Sequence, residues 1–239
     1  MRIVFFGTSH GVPEHDRRCS SLMLEIGDAR YIIDMGTQAI DLLRARNIPI
    51  ESVRGVFCTH PHGDHTDGVL SFVDLCNWYF RDAEPTVLLP NQELIDALKA
   101  YLAATGVPLR PEFKLGVYHA GVIYEDDIIR VTAIPTQHCK NAHAFFVEAE
   151  GKKLLFTGDL KHPTVDFPKV AFEEETDLIV CESAHFSPHD SVKVLEQTKT
   201  KRVIINHIAP YRYVDLFDET AKEHPFLLED AFDGMEVTL

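Results

Sequence analysis

The sequence predicts a layered α/β (α+β) fold in which two sheets pack together with helices outside. Three observations predict it. Short β-like runs dominate the first third of the chain, helical patterns follow, and strand-like runs then resume and finally alternate with helices. Strand-rich halves that each carry helices are satisfied by two packed sheets with the helices on their outer faces. The 239 residues, 45% of them hydrophobic, are ample for one sizeable core, and no repeat, linker or low-complexity stretch divides them, so residues 1–239 are read as a single domain.

In chain order, the runs "RIVFFG", "SLMLEIG", "RYIIDMG" and "VRGVFCTH" each combine β-branched and aromatic residues with a turn signal at one end, as strands do. "DGVLSFVDLCNWYF" then has helical apolar spacing, and "NQELIDALKAYLAA" follows a Pro-Asn start signal. Strands are expected again at "FKLGVYH", "DIIRVTAIPT", "AHAFFVEAEG" and "KKLLFTGD", the last two forming a hairpin that turns at Glu150–Gly151. The chain closes with strand "DLIVCES", helix "HDSVKVLEQTK", strand "RVIINH" and a helix around 214–222.

Composition narrows the function. No segment reaches the roughly 18–20 apolar residues of a membrane span, and "MRIVFFGTSHG" has no signal-peptide core or cleavage site, so it reads as a first strand of a cytoplasmic protein. Cys19, Cys58, Cys76, Cys139 and Cys181 are odd in number and scattered, which suits a reducing compartment and argues against a disulfide framework. The formal net charge is −14, and two divalent cations would still leave it acidic, so a long nucleic acid is not expected as a partner.

The chemistry concentrates in "FCTHPHGDHTDG", where His60, His62, Asp64 and His65 fall within six residues straight after an apolar run. In an extended segment residues two apart point the same way, so His60 and His62 converge on one ion. Asp64 and His65 follow Gly63, where the chain can turn, and suit a second ion. Three partners end other strand-like runs: His138 after "VTAIPTQ", Asp159 after "KKLLFTG" and His207 after "RVIIN". An aspartate between two metals can bridge them with its two oxygens. The sets become His60, His62, His138 and Asp159, then Asp64, His65, Asp159 and His207. Imidazole and carboxylate together suit Zn²⁺, Mn²⁺ or Fe²⁺.

These residues, in this order, resemble the H-x-H-x-D-H pattern, later His, bridging Asp and last His of the metallo-β-lactamase superfamily, over essentially the whole chain. The resemblance implies a four-layer αββα sandwich holding two divalent metal ions, with zinc or manganese favoured. Flavo-diiron members carry Glu where this chain has His62, which disfavours an iron site. "FFGTSHGVP", "IIDMGT", "CESAHFSPHDS" and "NHIAPYRY" further resemble the branch of the tRNA 3′-processing endonucleases (RNase Z) and their phosphodiesterase relatives. Glu182 and His189 stand at the places of a paired Glu and His motif of that branch, and Arg212–Tyr213 at its closing Arg-Tyr pair. RNase Z enzymes usually carry a long tRNA-gripping arm between the third histidine and the bridging aspartate. Here that interval reads as a plain hairpin.

The resemblance implies a binuclear metal-dependent hydrolase, a phosphodiesterase that uses metal-bound hydroxide on a small or single-stranded, cyclic-nucleotide-type substrate. Asp64 belongs to the catalytic centre, His189 is the candidate general acid and Glu182 would orient it. "PHDS" also reads as a helix start, which would make His189 structural. Asp34 and Asp67 would orient ligand histidines through their other ring nitrogen, although Asp67 equally fits the first turn of a helix. His10, His143, His162 and His185 lie near motif segments, and Arg17, Arg18 and Lys161 read first as surface residues. Alternatives on the same fold are a carbonyl hydrolase acting on a lactone, thioester or β-lactam, and a tRNA 3′-processing endonuclease. A homodimer is compatible with the resemblance, though no stretch marks an interface.

Overall fold

The computed structural model describes residues 1–239. The first half of the chain runs β1 (Arg2–Gly7), β2 (Ser21–Ile26), β3 (Ala29–Met35), α1 (Ala39–Ala45), β4 (Val53–Phe57), α2 (Gly63–Trp78), β5 (Thr86–Leu89), α3 (Gln92–Ala104) and β6 (Leu115–Val117). The second half runs β7 (Gly121–Glu125), β8 (Ile129–Pro135), β9 (His143–Ala149), β10 (Lys152–Phe156), α4 (Pro163–Asp166), α5 (Val170–Glu173), β11 (Glu175–Thr176), β12 (Leu178–Ser183), α6 (Pro188–Leu195), β13 (Lys199–Thr200), β14 (Arg202–Ile208), α7 (Tyr213–Thr220), β15 (Leu227–Asp230) and β16 (Glu236–Thr238).

Two seven-stranded sheets result, ordered β16-β1-β2-β3-β4-β5-β6 and β15-β14-β12-β10-β9-β8-β7. Each half begins with antiparallel strands and ends with parallel strands joined through helices, because a parallel pair needs a long crossover and an antiparallel pair does not. Strand alternation then sorts the side chains into layers. Ile3 and Phe5 of β1 face a core shared with Phe145, Leu154 and Ile204 between the sheets. Val4 and Phe6 face outward under α1, α2 and α3, against Ile40, Phe72 and Ile95. Leu155, Ile179 and Ile205 of the second sheet pack under Leu195 and Leu216 of α6 and α7. Three cores separate four layers, the αββα arrangement expected.

Several boundaries differ from the sequence reading. Helix α2 starts at Gly63 rather than at Asp67, with His62 extended at its N-cap, so Asp64 and His65 lie in its first turn. Its buried Val69, Phe72, Val73 and Cys76 form one apolar stripe. The strands β5, β7, β15 and β16 and the short helices α1, α4 and α5 are not predicted by the sequence pattern. The β9–β10 hairpin does turn at Glu150–Gly151, both with positive φ, as a two-residue turn between twisted strands requires. No helix is long and apolar enough to cross a membrane.

Candidate metal centre

The chemistry-bearing residues gather at the carboxyl ends of strands, where open parallel sheets place their ligands. The segment after β4 brings His60, His62, Asp64 and His65 from the first sheet. The ends of β8, β10 and β14 bring His138, Asp159 and His207 from the second. Candidate donor atoms of His60, His62, His138 and Asp159 all lie within 4.8 Å of one another, as do those of Asp64, His65 and His207. All seven sequence-expected ligands therefore meet.

In the first set, His62 Nδ1 is 3.1 Å from His60 Nε2 and 3.1 Å from His138 Nε2, while Asp159 Oδ2 is 3.6 Å from each of the latter two nitrogens. Bonds of about 2.0–2.1 Å to a tetrahedral ion imply ligand–ligand edges of about 3.3 Å, and these separations bracket that value. In the second set, His65 Nε2 is 3.4 Å from Asp64 Oδ2 and 3.4 Å from Asp159 Oδ1, and His207 Nε2 is 3.5 Å from Asp159 Oδ2. The two oxygens of Asp159 thus reach both sets. His65 Nε2 and Asp159 Oδ1 are buried with no hydrogen-bond partner. A buried nitrogen and oxygen left unpaired at an average cost of a kilocalorie or more each fit residues shaped to hold a cation.

The far nitrogens of His60, His65 and His207 are held by the protein, as ligand histidines require. Asp34 Oδ2 lies 2.7 Å from His65 Nδ1, and its other oxygen accepts the Thr59 backbone N–H at 2.7 Å. Thr59 Oγ1 lies 3.1 Å from His60 Nδ1. His207 Nδ1 meets the Ser9 carbonyl at 3.0 Å and Ser20 Oγ at 2.7 Å. Asp34 and His207 both have positive φ, 57° and 48°, a costly conformation for non-glycine residues that surrounding contacts must impose. Asp34 takes the orienting role expected of it. Asp67 does not: its carboxylate packs on Gly63 in the first turn of α2.

Electrostatics follow from this crowding. Burial alone would raise the Asp159 carboxyl, but the imidazoles of His207 and His65 hold it well below the usual range. Burial lowers His60 and His138, keeping them neutral as metal binding requires.

The expected pairing of Glu182 with His189 does not form. Glu182 is buried and accepts the backbone N–H groups of Leu160, Ala184 and His185 at 2.7, 3.1 and 3.2 Å. Its side-chain partner is His185, whose Nδ1 lies 2.8 Å and 3.0 Å from the two carboxylate oxygens. That contact, more than the opposing burial, pushes His185 up to about 9. Ser187 caps α6 through the His189 N–H, so the chain has already turned away and His189 projects onto α7, where Nδ1 meets Glu219 and Nε2 lies 3.7 Å from Asp215. The signal for His185 was its position three residues after Glu182 at the end of β12. Arg17 also departs from its reading, being buried and donating to Thr8 and to the Ala231 carbonyl.

A cavity of about 410 Å³ opens over the two sets, lined by His62, Asp64, His138, Asp159, His185 and His207 and also by His10, Gly11, Ala209 and Tyr211.

A two-sheet sandwich flanked by helices, with this histidine–aspartate constellation at the strand ends, is the metallo-β-lactamase fold. Residues 1–227 match the family model described as anti-Pycsar protein Apyc1, and the chain belongs to that family. A ribonuclease Z from Rippkaea orientalis is 29% identical over 140 residues, covering 58% of this chain and 44% of that protein. The chain spans about half the length of the curated relatives it matches. Among solved structures, human tRNase Z, short form, superposes with a TM-score of 0.76 at 16% identity, covering 100% of this chain and 99% of the other. A diphosphatase of the PhnP family superposes with a TM-score of 0.73 at 15% identity, covering 100% and 97%.

Proposed function

We propose that this chain is a binuclear metal-dependent hydrolase, a phosphodiesterase acting on a small or single-stranded, cyclic-nucleotide-type substrate. The observation that carries this reading is the Asp159 carboxylate, whose two oxygens reach both histidine sets, next to the Glu182–His185 pair. His60, His62, His138 and Asp159 would hold one ion, and Asp64, His65, His207 and Asp159 the other, with Zn²⁺ and Mn²⁺ both suited to these donors. Such a pair supplies a water of lowered pKa and neutralises charge gathering on a phosphoryl oxygen.

The protein's own groups do the rest. Glu182 accepts from His185 Nδ1 and favours the charged ring, which leaves Nε2 to donate a proton to the departing alkoxide. Asp34 and the Ser9 carbonyl fix the tautomers of His65 and His207, so that each presents Nε2 to the site.

Relatives named ribonuclease Z and a neighbour described as a diphosphatase support chemistry at phosphorus over the carbonyl alternative. Similarity to ribonuclease Z also keeps tRNA 3′ processing as a second reading. Against it stand the plain hairpin between His138 and Asp159 and the net charge of −14, which repels a long polyanion.

The test is hydrolysis of 3′,5′-cyclic nucleotides and bis(p-nitrophenyl) phosphate by Mn²⁺- or Zn²⁺-loaded protein, beside a lactone, a thioester, a β-lactam and a precursor tRNA, with Asp64→Ala as control. Phosphodiester turnover that the variant loses, along with one of two bound metals, supports the reading. Cleavage of a carbonyl substrate alone, or of the tRNA alone, overturns it.

A further inference from the structure

We propose that Tyr211 is the surface on which the base of a nucleotide substrate stacks, and so helps determine specificity; this rests on the phosphodiesterase reading above. The ring is 71% exposed, yet it lines the same cavity as the metal-capable residues. Tyr31 and Tyr118, by contrast, are buried in the core between the sheets. A large aromatic side chain left in water at the rim of a polar pocket gains nothing from burial within the fold, and awaits a ligand face.

The backbone that carries the ring is restrained. Tyr211 lies in a single 3₁₀ turn, Pro210–Arg212, with the proline at its start, where the pyrrolidine ring fixes φ. This turn follows the end of β14, the strand that carries His207, so Tyr211 lies four residues beyond that ligand candidate. The guanidinium carbon of Arg212 sits 5.1 Å from the Tyr211 ring centroid, and its Nε is buried without a hydrogen-bond partner. The cation backs one face of the ring and leaves the other free. A phosphate seated at the histidine sets would project its sugar and base into the cavity that Tyr211 also lines. Stacking tolerates any base, because every base has a π-face.

Val214 and Phe217 are exposed as well, at 70% and 74%, three and six residues beyond Tyr211, and the stripe they make could instead meet a protein. Only Tyr211 of the three lines the cavity, which favours the base.

The test compares 3′,5′-cyclic AMP with the base-free methyl riboside 3′,5′-cyclic phosphate, on Mn²⁺-loaded wild type, Tyr211→Ala, Tyr211→Phe and Val214→Ala. The readout is the ratio of kcat/KM for the nucleotide to kcat/KM for the base-free ester. Tyr211→Ala should lower this ratio roughly five- to a hundredfold, mainly through KM, the range that one base–aromatic stack spans. Tyr211→Phe and Val214→Ala should keep it. A ratio unchanged in Tyr211→Ala overturns the inference, and so does an equal fall in Val214→Ala, which would assign the stripe to a protein contact. Wild type that cleaves both esters with the same KM sinks the stacking role alone. Wild type that cleaves neither sinks the phosphodiesterase reading.

Discussion

At the scale of single residues, two histidines four positions apart have exchanged the places the sequence suggested. Glu182 faces His185, and His189 faces Glu219 and Asp215. His185→Ala should slow hydrolysis of an alkyl phosphodiester by around a hundredfold or more, as loss of a general acid does, and should spare much of the rate on a p-nitrophenyl ester, whose leaving group needs no proton. His189→Ala should leave both rates near wild type and lower Tm, because it unpins α7 from α6. Steady-state kinetics on the two esters with both variants checks this. The seven ligand candidates were legible because their spacing follows the two-residue period of an extended chain and the habit of placing chemistry at strand ends. His185 was named only as lying near a motif, because the short irregular connection between β12 and α6 has no period that says which side chain bends back.

Asp230 shows a second effect of this scale. Burial pushes its carboxyl up to about 6, against the pull of Arg17, and its Oδ1 has no hydrogen-bond partner. Its folded pKa is thus above the unfolded value near 3.9. The fold favours the protonated acid, so this contribution to stability is complete below the unfolded pKa and is lost as pH rises through about 6. Asp230→Asn cannot ionise. It should gain on the order of 1 kcal/mol at pH 8, after discounting for its partly wet surroundings, and nothing at pH 4. Urea denaturation at the two pH values measures the difference.

Among the elements, helix α2 governs the centre, since its first turn carries Asp64 and His65. It seats against the loop after β3 by backbone contact. A Cβ added at Gly68 would lie 1.9 Å from the Thr37 carbonyl oxygen, and one at Gly36 would lie 1.7 Å from that of Asp64. Alanine normally improves a helix interior by about 1 kcal/mol over glycine. Overpacking costs about 1–3 kcal/mol, and a carbonyl fixed in the chain cannot rotate aside as a side chain can. Gly68→Ala should therefore be net destabilising and should push the first turn outward, reducing metal stoichiometry by about one equivalent per chain while the first set still loads. Metal analysis after dialysis, with a melting curve, tests both claims. The apolar periodicity predicts a start at Asp67, because polar first-turn residues leave no hydrophobic trace. The three-residue β16 was equally silent, since its strand character comes from pairing with β1.

Across the whole molecule, the ligand sets straddle the seam between the two sheets. His60, His62, Asp64 and His65 come from one sheet, and His138, Asp159 and His207 from the other. Ions bound there would tie the halves together, and any ligand that binds only the folded state raises stability by mass action. Stripping metal should lower Tm and speed amide exchange at the carboxyl ends of β4, β10 and β14 before the strand centres respond. The two-sheet plan was readable because each half repeats the same order of hairpins followed by helix-linked strands.

One further consequence lies in how unevenly water reaches the two sets. His65 and His207 are only 2% and 3% exposed, and Asp34 and Ser9 lock their far nitrogens. His62, in the other set, is exposed, and His138 is half-buried. Release of an ion from the buried pair has to wait for α2 or β14 to shift, whereas the exposed pair can let go by turning two side chains. The centre would then have a long memory on one side and a short one on the other. Under a chelator its metals should leave in two phases, and a protein grown in one metal and moved to another should pass through a mixed state, with the newcomer beside His62 and the original ion still beside His207.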